Sequence, residues 1–150
     1  MRNGSDFLPS KIQGVREFMA ACPLLAEIPL NDKHIDWTSD SAVNYGIMFD
    51  SDNVIKKFIS GGGKCEYNFA LFVRKFAKQD AERLQNNEFM ERLQDWISEQ
   101  NAAKNFPVMP NGCTPTKLSA ENGMLFERDK TNTTGLYQIQ FKLCYIKSGG

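Results

Sequence analysis

The chemistry open to this 150-residue chain rests on few side chains: one histidine (His34), four cysteines, a glycine run ending in lysine, and scattered carboxylates. A nucleophile–base pair would have to use His34, because imidazole is the side chain that accepts a proton near neutral pH. His34 sits in a polar turn beside Lys33 and Ile35, and no serine or cysteine stands in a nucleophile-elbow or papain-like context. Cys22, Cys65, Cys113 and Cys144 are far apart with no Cys-x-x-Cys pair. They read as free thiols of a reducing compartment rather than as zinc ligands. Gly61-Gly62-Gly63-Lys64 invites a phosphate-loop reading, but the leading glycine is missing and Cys65 stands where Ser or Thr would hold a metal. The run also precedes a strand, whereas a phosphate loop leads into a helix. Asp50/Asp52 and Glu88/Glu91 are best read as solvated pairs. The expectation is a protein without catalytic residues, metal or cofactor.

Charge points the same way. Eighteen basic and eighteen acidic residues cancel, so the field that neutralises a phosphate backbone is absent at the level of the whole chain. Lys56, Lys57 and Lys64 with Phe58 form one local basic patch; an exposed loop with ordinary lysines is the simpler reading, and direct DNA contact is not expected. No apolar run approaches bilayer length, and no secretory signal opens the chain.

The elements that position these residues follow from period and punctuation. Residues 1–10 read as a flexible start. Ser10, with Gln13 three residues on, caps a helix over 11–22 whose apolar face is Ile12, Val15, Phe18, Met19 and Cys22, and Pro23 stops it. A short strand is possible at Ile35–Thr38. Alternation of Val43, Tyr45, Ile47 and Phe49 predicts a strand over 43–49. Residues 50–64 read as a mobile loop ending in glycines, with Ile55, Phe58 and Ile59 as apolar anchors. A strand follows over 65–77, with Tyr67, Phe69, Leu71 and Val73 on one face. Gln79-Asp80-Ala81-Glu82 opens a longer helix with Leu84, Phe89, Met90, Leu93, Trp96 and Ile97 inward. Leu84 to Phe89 is one residue off period, which predicts a break or kink near Asn86-Asn87. After a proline-rich crossing at 101–115, a strand over 116–128 is interrupted at Glu121-Asn122-Gly123 by a bulge or a tight bend. A polar turn at 129–134 leads to the last strand, 135–147. There Tyr137, Ile139, Phe141, Leu143 and Tyr145 face in, and Gln138, Gln140 and Lys142 face out. The order predicts one α+β domain over 11–147, two helices packed on a mainly antiparallel curved sheet.

Several segments in order carry a family resemblance. They are Phe18-Met19-Ala20-Ala21-Cys22-Pro23-Leu24-Leu25, Val54-Ile55-Lys56-Lys57-Phe58-Ile59-Ser60-Gly61, Tyr67-Asn68-Phe69-Ala70-Leu71-Phe72-Val73-Arg74, and Asn87-Glu88-Phe89 leading to Asp95-Trp96-Ile97-Ser98-Glu99-Gln100. Asn105-Phe106-Pro107-Val108, Gly123-Met124-Leu125-Phe126 and Tyr137-Gln138-Ile139-Gln140-Phe141-Lys142-Leu143-Cys144-Tyr145 complete the set. With this order and spacing the chain resembles the small tail-terminator-like or minor capsid proteins encoded by prophages of gut-dwelling Gram-positive bacteria. The resemblance covers most of 11–146; residues 1–10 and the glycines at 61–63 are particular to this chain.

The resemblance implies helices on one side of a curved sheet and no catalytic signature. It implies a ring, typically of six copies, made in the host bacterial cytoplasm and carried into the virion at the head-proximal end of the tail. Such a ring caps the tail tube and meets a head-completion or connector protein. The sites expected to make contacts are the 50–64 segment (Ile55, Lys56, Lys57, Phe58, Ile59, Lys64) and the outward row Gln138, Gln140, Lys142. A head-completion or minor capsid protein on the portal side is the near alternative. A small cytosolic enzyme or ligand-binding domain, which needs convergent polar groups in a pocket, is the alternative of a different class.

Overall fold

A computed structural model describes residues 9–26, 44–128 and 133–149. The possible strand at Ile35–Thr38, His34, and most of the expected flexible start and of the 129–134 turn lie outside the described residues.

Helix α1 (Lys11–Ala20) starts where the cap predicts: the Ser10 hydroxyl accepts the Gln13 N–H at 3.3 Å. Its last turn loosens before Pro23. Val15 and Met19 are fully buried, and Phe18 packs on Trp96 with ring centroids 5.2 Å apart. Gly14 lets the helix press against the 106–110 segment, since a Cβ there would stand 1.9 Å from the Val108 carbonyl oxygen.

Strands β1 (Asn44–Lys57) and β2 (Gly62–Phe76) form a long antiparallel hairpin. The loop expected at 50–64 is therefore mostly paired strand. Its connection is only Phe58 to Gly61, closed by the Phe58 N–H donating to the Gly62 carbonyl at 3.1 Å. Gly61 and Gly62 take φ of 97° and 73°, the region where a side chain is strained. The glycine run thus makes a tight turn rather than a slack segment. β1 slips register between Phe49 and Ser51 and between Val54 and Lys56, so Asp50 and Ile55 are bulge residues. These slips erase the period-2 pattern that would have announced the strand.

Helix α2 (Asp80–Ala102) runs unbroken for 23 residues. The Glu82 carboxylate accepts the Gln79 N–H at 2.9 Å at its start. The break expected near Asn86-Asn87 does not occur. The inward register passes through Asn86, 2% exposed, then Phe89, Met90, Leu93 and Ile97, while Leu84, expected inward, is 61% exposed. A buried amide holds the place of an apolar residue. Asn86 Nδ2 donates to the Phe76 carbonyl at 2.8 Å and to the Tyr137 hydroxyl at 3.0 Å, so it is satisfied where it sits.

Strands β3 (Cys113–Arg128) and β4 (Thr134–Ser148) complete a four-stranded antiparallel sheet of order β1-β2-β4-β3. β3 begins three residues before the expected start and passes through Pro115, which an edge strand tolerates. Of the bulge or tight bend expected at 121–123, the strand has the bulge, a slip between Glu121 and Met124.

The fold is α+β, with a core on one face of the sheet. Tyr67, Phe69, Leu71 and Val73 of β2 lie beside Tyr137, Ile139, Phe141, Leu143 and Tyr145 of β4, under α1 and α2. Phe69 and Phe141 stack with centroids 4.9 Å apart. On the other face, Ala70, Phe72 and Leu136 form a smaller apolar cluster.

Candidate partner interface

The sheet brings most of the expected contact residues to one end. Lys56 pairs with Lys64, and Lys57 pairs with Gly63, which is flanked on its other side by Lys147. Ile55 is 54% exposed, Phe58 is half-buried, and Ile59 at the turn is fully exposed. The hairpin tip is thus an apolar point with a collar of lysines, held by backbone pairing.

Gln138, Gln140 and Lys142 lie elsewhere, on the sheet face opposite the helices. They border an open depression of about 300 Å³ whose lining also includes Met48, Asp50, Ala70 and Glu121. Lys142 faces the Glu66 carboxylate at 3.7 Å. The two groups of expected contact residues are therefore separate surfaces. Met48, Asp50 and Glu121 escape sequence reasoning because only the strand order sets β1 and β3 on either side of the β2–β4 pair.

A second arrangement that the sequence does not announce lies on the core face, where β1 meets α1. The Tyr145 hydroxyl donates to Asp52 at 2.6 Å, Lys11 pairs with the other Asp52 oxygen, and the Lys11 ammonium sits 4.9 Å from the centroid of the Tyr145 ring. Burial, and then the hydrogen bond to Asp52, push the Tyr145 phenol above its ordinary range. Burial, and then the Asp52 charge, push Tyr67 up to about 12. Both phenols hold their protons, so the cluster ties α1 to the sheet rather than supplying a base.

The remaining candidates do not converge. Cys65 and Cys22 are buried and all four thiols are free; burial pushes the Cys22 thiol up, away from the thiolate a nucleophile needs. Glu88 and Glu91 are exposed on α2. Lys64, after the glycine run, points out from a strand rather than a helix start. Among the described residues no three His, Cys, Asp or Glu side chains gather to hold a metal, and no helix is long and apolar enough to cross a membrane.

Comparison with solved structures finds a likeness in fold. A chain from the virion of a native gene transfer agent particle superposes with a TM-score of 0.55 at 11% identity, over 90% of this chain and 92% of that one. No protein-family profile and no curated protein matches the chain.

Proposed function

We propose that this protein is a structural subunit of a phage or phage-like virion. In this reading it is a tail terminator or tail-completion subunit that caps the tail tube and joins it to the head as a ring of identical copies, six by the family resemblance. The observation that carries the proposal is the superposition, over nearly the full length of both chains, on a chain of a gene transfer agent virion. A match across the whole fold, rather than across one motif, is what a shared architectural role requires, and the resemblance read from the residues leads to the same class. The surfaces support it. The tip with Ile55, Lys56, Lys57, Phe58, Ile59 and Lys64, and the face with Gln138, Gln140 and Lys142, are surface features with no converging reactive groups among the described residues. Docking through the tip uses a preformed hairpin, so little ordering entropy is lost on contact. The protein works without cofactor or turnover. It assembles in the host cytoplasm and then resides in the virion at the head-proximal end of the tail.

Mixing the purified chain with tail tubes, and separately with portal or connector complexes, tests the role. A terminator caps tube ends and halts further polymerisation; binding to the portal complex alone moves the protein to the head side.

A further inference from the structure

The molecule is neutral overall, yet one end of the sheet is not. Residues 54–65, 111–116 and 145–149, which meet there, carry Lys56, Lys57, Lys64 and Lys147 and no Asp or Glu. The nearest acids are already engaged, Asp52 by Lys11 and Tyr145 and Glu66 by Lys142. At the point of this basic end stands Ile59, fully exposed. An isolated aliphatic side chain at a loop tip is ordinary; one at a tight turn whose two strands carry Lys56, Lys57 and Lys64 has the shape of a plug.

The depression on the open face is its complement. It is concave, about 300 Å³, with Met48 and Ala70 in its lining and with Asp50 and Glu121 both exposed. Among the described residues neither carboxylate has an ion pair, and the Lys142 charge in the lining is met by Glu66. The volume sits at the floor of the range for small-ligand sites and suits one large apolar side chain. Asp50 is there because of the bulge in β1, a device that re-aims a side chain out of the pleat.

We infer that the tip of one copy seats in the depression of the next, with Ile59 over Met48 and the lysines Lys56 and Lys57 facing Asp50 and Glu121. A copy cannot seat its own tip. Asp50 and Phe58 are ends of one extended strand segment, ~25 Å apart at the usual rise per residue. Tip and depression are different surfaces; repeated in one direction the contact is head-to-tail and closes into a ring when the rotation fits, and reciprocated between two copies it closes as a dimer. A neutral chain that separates its charge in this way is complementary to a second copy of itself. The inference rests on the virion-subunit reading and names the contact that reading needs.

Cross-linking decides it. Ile59→Cys and Met48→Cys variants, each confirmed as folded by circular dichroism, are treated with a short bis-maleimide separately and as an equal mixture. The concentration is one at which the unaltered chain sediments as an oligomer. Cross-linked dimer is expected in the mixture and not above the wild-type background in either variant alone. Charge reversal provides the second arm. Lys56→Glu with Lys57→Glu is expected to weaken self-association about tenfold, as loss of paired rim charges does, and Asp50→Lys with Glu121→Lys in the same chain to restore it. Oligomers that form undiminished in the charge variants, or cross-links in each variant alone but no more in the mixture, overturn the contact and leave the virion reading standing. A wild-type chain that stays monomeric at every concentration overturns the contact; if it also fails to bind tail tubes and portal complexes, the virion reading falls with it. DNA binding lost on lysine reversal, with self-association unchanged, assigns the tip to nucleic acid instead.

Discussion

β4 and the outer half of β1 belong to one sheet and are held in opposite ways. β4 is central, and from Tyr137 to Tyr145 every second side chain is buried in the core. β1 is an edge strand whose residues from Asn53 to Lys57 are all exposed, although they pair with β2 throughout except at the Ile55 bulge. In β4 the side chains hold the strand; in outer β1 the neighbour's backbone does. A strand that buries nothing within its own chain is one whose side chains are left over for contact with something else.

Truncation should separate the two regions most sharply. Leu143→Ala removes a fully buried side chain and should cost about 2–5 kcal/mol in chemical denaturation. Val54→Ala, at a side chain 54% exposed, should stay within about 0.5 kcal/mol. Equal losses would mean that outer β1 is part of the core after all.

Next in size is the buried amide that keeps α2 in register. Asn86→Ala deletes two hydrogen bonds and strands the Tyr137 hydroxyl, for an expected loss of about 1–3 kcal/mol. Asn87→Ala, one residue along on the exposed side of the helix, should be close to silent. The pair tests whether the helix is continuous through the point where the period misleads.

The third prediction concerns the junction of β1 with the core. A folded Tyr67 that titrates near 12, against an ordinary 10, binds its proton more tightly than the unfolded chain does. Stability should therefore be insensitive to this group below pH 10 and fall as pH rises from 10 to about 12. Tyr145, shifted in the same direction, adds to the fall. Denaturation midpoints across pH 8–12 measure it, and Tyr67→Phe should flatten the upper part of the curve.

The smallest effect is expected at Asp80. Its ion pair with Arg83 spans one exposed turn of α2, and Asp80→Asn should change stability by at most a few tenths of a kcal/mol in low salt.

These contrasts explain what could be read from the residues. Tyr137 to Tyr145 gives its strand away, because a sheet with one covered face writes burial into alternate positions. Ser10 and Pro23 bracket α1 because capping and the missing N–H act locally. Residues 50–57 looked like a loop because their conformation is imposed by pairing and broken by two bulges, and neither leaves a hydrophobic period. Asn86 looked like a break because a satisfied buried amide is indistinguishable in sequence from a polar surface residue. The same limit applies to contact surfaces. The residues of the tip were legible as a group because they are contiguous, whereas Met48, Asp50 and Glu121 come together only through the strand order.

Electron microscopy of the purified 150-residue chain, alone and after mixing with tail tubes, tests the central claim most directly. The account predicts closed rings of constant subunit number that sit on tube ends. Particles of monomer size at every concentration, with tube ends left bare and portal complexes unbound, would contradict it.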